Sequence, residues 1–207
     1  MIYTILMHLF LLVPNPSDGW KQAKQKDGIA VWTKDSSEID AKAFLAKTTI
    51  NASQSDILKV LLEPSNYPEW LERCKKVEII EQNGDSSQTV YMKIGIPWPF
   101  QDRDMVQSLE LSSSKEISVI EMINKPDAVE EKRGLVRLQN TGGQWKLKTI
   151  GTKTEIQFTF WLDPGGLIPS MLANIFLVNG PYKNLLNLRQ RVADLSSRQS
   201  YESDFSN

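Results

Sequence analysis

The sequence predicts an α+β fold in which a curved antiparallel sheet wraps around a long C-terminal helix, with two short helices between early strands. Three features carry this reading. Residues 75–162 break into short segments of alternating apolar and polar residues, separated by turn-forming clusters. Residues 167–195 change to helical spacing. Between them, the connections are too short for the helical crossovers that parallel strands require.

Taken in order, residues 1–17 form an apolar leader, MIYTILMHLFLLVPNPS, with no Lys, Arg, Asp or Glu. Its apolar run is too short for a bilayer, which needs about 20 residues, but suits the hydrophobic region of a secretory signal peptide. A basic start and an A-x-A site are missing, so an interfacial anchor, a retained helix or a wrongly assigned start remain as alternatives. The leader, if cleaved, places the protein in the periplasm or outside the cell; otherwise it is cytoplasmic. The folded domain is expected over residues 18–195, with a frayed polar tail at 196–207.

Within the domain, SDGWKQAKQKDG reads as a short amphipathic helix ending at the Asp27-Gly28 turn. IAVWTKD and AKAFLAKTTI alternate as strands. Asn51 or Ser53 then caps a helix through Leu62, and NYPEWLERC supplies a second. KKVEIIEQ, QTVYMKIGI, DMVQSLEL, ISVIEMIN, GLVRLQN, QWKLKTI and TEIQFTFWL follow as an antiparallel meander. The final helix meets Gly180-Pro181, which should kink it or divide it in two.

Composition narrows the chemistry. Lys plus Arg number 24 against 25 Asp plus Glu, so no net field draws the chain to nucleic acid. The lone cysteine, Cys74, cannot close an internal disulfide and suits a small buried apolar residue. The lone histidine, His8, lies in the leader. A His-dependent triad or zinc site would have to use it, so no catalytic residue, metal or cofactor is expected.

Strand parity puts Ile156, Phe158, Phe160 and Leu162 on one face of their segment, and Val90, Met92, Ile94 and Ile96 on one face of theirs. Side chains on a curved sheet cannot all reach one helix, so bulky residues or a ligand must fill the gap.

Two stretches carry a family resemblance. IPWPFQDRDMVQSLEL has a proline-containing loop, an Arg-Asp pair and then an apolar strand. Residues 130–192 have a Gly-hydrophobic-Arg segment, a closing strand, a Gly-and-Pro turn and the long helix. Together they resemble the START (steroidogenic acute regulatory protein-related lipid transfer) family, of the helix-grip, Bet v 1-like superfamily, over roughly residues 20–195. The resemblance implies the helix-grip fold, one hydrophobic ligand held between sheet and C-terminal helix, and access beneath a loop. By position that loop is Ile96-Pro97-Trp98-Pro99-Phe100. Its aromatics suit either a lid that dips into a lipid interface or plugs at the sheet rim.

On this reading Met92, Ile94, Ile96, Leu109, Phe158, Phe160, Met171, Leu172, Ile175 and Phe176 line the cavity, with Trp98 and Phe100 at its mouth. Asn179, Tyr182 and Arg189 lie along the helix side and either orient a head group or turn to solvent. Arg103 and Asp104 are expected to be structural, with Arg103 tying loop to strand start through carboxylates and carbonyls. Sterol-carrying members have an arginine where this chain has Leu109, which argues against sterol recognition by that polar pair. Glu110 and Glu121 fit a solvated face.

The expected function is therefore a monomeric carrier of a lipid or other hydrophobic small molecule, with transient membrane contact. The alternatives are a superfamily enzyme, cyclase-like or hydrolase-like, that uses cavity carboxylates, and a quinone-like ligand chaperone that binds without transfer.

Overall fold

The computed structural model describes residues 19–35, 42–163 and 174–204. Its first element corrects an expectation. The segment read as an amphipathic helix is strand β1 (Lys21–Lys26), paired antiparallel with β2 (Ile29–Asp35). Asp27 and Gly28 join them with φ of 52° and 71°, the left-handed pair that a two-residue hairpin turn requires. The turn fixes the ladder, and pairing overrides the helix propensity of a Lys- and Gln-rich segment.

After β3 (Lys42–Ile50) comes α1 (Gln54–Leu61). Of the two cap candidates Ser53 serves: its Oγ accepts the Asp56 N–H at 3.2 Å. Ile57, Val60 and Leu61 bury one stripe of the helix. A 3-10 turn at Pro64–Asn66 leads to the one-turn helix α2 (Tyr67–Trp70). The strands β4 (Cys74–Asn83), β5 (Ser87–Ile94), β6 (Arg103–Ser113) and β7 (Ile117–Asn124) follow as hairpins, and β9 (Thr141–Ile150) and β10 (Lys153–Leu162) complete the sheet. The GLVRLQN segment does not take a place in the meander. It contributes only β8 (Val136–Arg137), parallel to β6, because β7 pairs directly with β9.

The sheet order is β1-β2-β3-β10-β9-β7-β6-β5-β4, with β8 off this path. The last helix crosses its concave side, the helix-grip arrangement. Its described part passes from Asn174 through one π-helical turn, Ile175–Asn179, directly into α3 (Gly180–Asp204). The Gly180 N–H bonds to the Ile175 carbonyl across the wide turn. The wide turn stands immediately before Pro181, which has no N–H to give to the preceding turn. The helix is not divided at Gly180-Pro181; the irregularity there is a π turn. The polar tail differs too, since the helix runs on to Asp204.

Leu185, Leu188 and Val192 of α3 are fully buried against Ile57, Leu61, Leu147 and Ile156. Each such side chain contributes on the order of 1.5–3 kcal/mol. The β1–β2 turn clamps the same helix. The Tyr182 hydroxyl donates to the Asp27 carboxylate, and Arg189 donates to the Asp27 carbonyl at 2.9 Å and to the Thr48 hydroxyl at 2.7 Å.

Candidate functional site

Between the concave face of the sheet and the C-terminal helix lies a cavity of about 620 Å³. Strand alternation builds its wall. On β6, Arg103, Met105, Gln107 and Leu109 border the cavity, whereas Asp104, Val106 and Ser108 do not. Met92 and Ile94 of β5, Phe158 and Phe160 of β10, and Ile96 of the proline loop add to it. Ile175 and Phe176 close it from the π turn, and Tyr67 and Trp70 from α2.

The far end is an aromatic stack. Trp145 and Phe158 lie face to face at 3.8 Å, Phe44 meets Phe158 edge-on at 4.9 Å, and Trp70 meets Trp145 at 6.5 Å. These rings brace one another across β3, β10 and β9, so the wall holds its shape without a helix against every side chain. Beside the stack, the glycines of β9 let β10 pack closely against them. A Cβ on Gly143 would stand 2.3 Å from the Thr159 carbonyl oxygen, and one on Gly142 would stand 2.2 Å from the Trp161 ring.

The other end is polar. Cys74 pairs with Ile94 and Ile94 with Arg103, which sets Arg73 and Arg103 near the same rim of the sheet. Glu72, Lys42, Asp163 and Asn184 border the cavity as well. Glu72 is bridged to Lys183 of α3 at 3.0 Å, and its backbone N–H donates to the Asn184 side-chain Oδ1 at 2.7 Å. Burial lowers the Arg103 guanidinium from its ordinary pKa. Arg73 has φ of 65°, and its carbonyl accepts the Gly95 N–H at 2.8 Å. That bond ties the start of β4 to the proline loop.

The acidic residues around Arg103 have other partners than expected. Asp104 faces away from the cavity and takes two bonds of 3.0 Å from Arg137. Arg137 also donates to the backbone carbonyls of Pro126, Val129 and Glu130, fixing the segment before β8. Arg137 thus fixes the segment before β8, while Arg103 borders the cavity and donates to the Gln101 carbonyl in the loop that leads into β6. Tyr91 is also buried on the outer face, beneath the Lys132 ammonium at 3.8 Å from its ring. Burial, with Asp104 alongside, pushes its hydroxyl up to about 12.

Asp102 latches the loop. It accepts the Ile96 N–H at 3.0 Å and bridges Lys75 at 3.0 Å and Lys93 at 3.2 Å. Burial favours its neutral form, but these three donors outweigh it and hold the carboxyl at about 2.

Beyond the latch, Trp98 is 91% exposed, which removes the plug reading for that ring. Phe100 is half-buried; neither borders the cavity. Asn179 and Tyr182 do not border it either. Asn179 is exposed and accepts from Lys24 at 2.9 Å, and Tyr182 is turned to Asp27 with Lys24 over its ring. The β1–β2 hairpin, whose first strand the sequence reads as a helix, is what captures them. Met171 and Leu172 lie outside the described residues. Glu110 and Glu121 are exposed register partners on β6 and β7, and Cys74 is buried. Among the described residues, no group of His, Cys, Asp and Glu is placed to hold a metal, and no helix is long and apolar enough to cross a membrane.

Comparison with known proteins agrees with this geometry. The chain is 31% identical to an uncharacterised protein of Pseudomonas aeruginosa over 175 residues, 84% of this chain and 86% of the other. It is 23% identical to the phosphatidylcholine transfer protein of Bos taurus, over 78% of each chain. Among solved structures, a STAR-related lipid transfer protein from Xanthomonas axonopodis superposes with a TM-score of 0.77 at 27% identity, covering 85% of this chain and 99% of that one. Residues 50–189 match the family model described as polyketide cyclase / dehydrase and lipid transport. The chain belongs to that START-like family.

Proposed function

We propose that the protein binds one lipid or similar hydrophobic molecule in the cavity between sheet and helix, and carries it between membranes without transforming it. The observation that carries this reading is the cavity itself: about 620 Å³, walled by aromatic, Met, Leu and Ile side chains with charge gathered at one end. An amphiphile fits such a polarity, its tail against Trp145 and Phe158 and its head toward Arg73 and Arg103. The names of the relatives, lipid transfer proteins among them, support the same class of ligand.

Carriage rather than catalysis is supported by the side chains at the polar end. Glu72 is bound in an ion pair, and the Tyr91 hydroxyl lies beside Asp104 on the outer face, away from the cavity. The matched family also contains cyclases, so the enzymatic alternative is part of the test.

Membrane contact falls to Trp98, a solvent-facing indole on the latched loop, with Lys75, Lys76 and Lys93 nearby in sequence and pairing. We take the carrier to act as a monomer and the leader to direct its export. The test is transfer of fluorescent phospholipid or fatty acid between vesicles, with mass spectrometry of the protein from its own source. Wild type should acquire and deliver lipid, and Trp98→Ser should keep uptake from detergent while slowing delivery several-fold. Absence of uptake by wild type overturns the reading. Uptake without delivery points to the chaperone, and a chemically altered ligand to the enzyme.

A further inference from the structure

Gln107 is fully buried, and its place in a chain of hydrogen bonds fixes which way its amide faces. The chain begins at the Gln139 carbonyl, which can only accept, so the Asn124 group bonded to it at 2.7 Å must be the NH2. The Asn124 oxygen therefore accepts, and it takes the Thr141 hydroxyl proton at 3.0 Å. With its single proton committed, Thr141 can only accept from Gln107, at 3.2 Å, which makes that atom the Gln107 nitrogen. What is left is Gln107 Oε1, a buried acceptor with no hydrogen-bond partner, on a side chain that borders the cavity. Buried acceptors are satisfied in folded proteins as a rule, and one left open beside a binding cavity awaits a donor.

The neighbours make that donor conspicuous. Met105 and Leu109 flank Gln107 on the same face of β6, Met122 is the register partner of Leu109 on β7, and these and Leu162 border the cavity. None of them can hydrogen-bond to a ligand strongly. Arg103 is four residues away on the strand, about 13 Å, so a head group at the arginine end and a group at Gln107 would be different parts of one molecule.

We propose that Gln107 selects the cargo by accepting a hydrogen bond from a hydroxyl or amide N–H on the ligand, so that the preferred ligand is an amphiphile bearing such a donor rather than a purely apolar chain. This rests on the carrier reading and adds the chemistry that sets its specificity. A site built to bond a donor discriminates strongly against an analogue lacking it, because the protein group is then left buried and unpaired.

The test uses the full chain, a fluorescent long-chain fatty acid with a mid-chain hydroxyl, the O-methyl ether of that alcohol, an unsubstituted fluorescent fatty acid and a fluorescent phosphatidylcholine. Wild type should bind the alcohol about tenfold or more tightly than the ether. Gln107→Leu, which keeps the bulk and removes the acceptor, should weaken the alcohol by about tenfold and leave the ether within about twofold. Equal binding of alcohol and ether by wild type overturns the proposal while leaving the carrier reading standing. So does a Gln107→Leu variant that loses both ligands alike. The wild-type comparison decides the matter if the variant does not fold. Failure of all four probes to bind overturns the carrier reading and this proposal together.

Discussion

Arg137 grips Asp104 through two N–H···O bonds of 3.0 Å, and both side chains are 1% exposed. A buried ion pair is worth less than its Coulomb attraction, but removing one partner leaves the other charged in a dry site. Arg137→Ala should therefore destabilise the fold by about 3–5 kcal/mol, read as a fall in the urea midpoint. An Asp104→Leu, Arg137→Met double variant should lose clearly less than the two single variants together. Additive losses would mean that the pair does not act as a unit.

Asp102 should give the protein an acid-sensitive loop. Its folded pKa of about 2 lies below the ordinary value near about 3.9. The folded state thus binds a proton less readily than the unfolded chain. The stabilisation is complete above pH about 4 and is lost as pH falls through about 2. Asp102→Asn should be less stable than wild type at neutral pH, with the difference shrinking across that interval. Parallel pH curves for the two proteins would rule the latch out.

The two glycines of β9 should respond differently to the same substitution. At Gly142 the obstacle is the Trp161 ring, which is 38% exposed and has room to move. At Gly143 it is the Thr159 carbonyl oxygen, which cannot move without breaking the β9–β10 ladder. Gly143→Ala should cost more than Gly142→Ala, beyond the about 1–3 kcal/mol usual for overpacking. Adding Trp161→Ala should rescue Gly142→Ala and leave Gly143→Ala unrepaired. Thermal melts of the four variants check the ordering.

Cys74 should be a slow thiol. Burial pushes it up to about 11, and the thiolate is the reactive form. At pH 8 its reaction with an aromatic disulfide reagent should be on the order of a hundredfold slower than in urea. A folded-state rate equal to the unfolded one would mean that the start of β4 opens freely.

Much of the sheet was legible because alternation is a local signal. Phe158, Phe160, Met92 and Ile94 reveal their face by parity alone, and they border the cavity where parity put them. What sequence could not supply was pairing between distant segments. Lys21–Lys26 has helical composition and becomes a strand only because the Asp27-Gly28 turn folds it onto β2. The same hairpin then claims Tyr182 and, through Lys24, Asn179, residues that helical spacing alone had aimed at the cavity. Arg103 and Arg137 illustrate the limit again. Asp104 stands next to Arg103 in sequence, but adjacent strand residues point to opposite faces, so its partner had to come from another segment. The Arg at the end of Gly-Leu-Val-Arg was visible; its carboxylate was not. Trp70, Trp145 and Gln107 were missed because a wall residue is defined by what stands opposite it.

The strand order has a consequence for how the chain is made. Phe44 of β3 takes Phe160 of β10 as its register partner, and Ile120 of β7 takes Trp145 of β9. Strands β1–β3 and β4–β7 are therefore two separate ribbons until the β9–β10 hairpin joins them, and for the first ribbon that means waiting roughly a hundred residues of synthesis. During that interval the edge that β10 or β9 will later cover stays bare on each ribbon, the kind of surface that recruits strangers. The hairpin that builds the aromatic end of the cavity is also the weld between the two halves of the nascent sheet, so a fault there would leave the halves unjoined before it emptied the cavity of any wall.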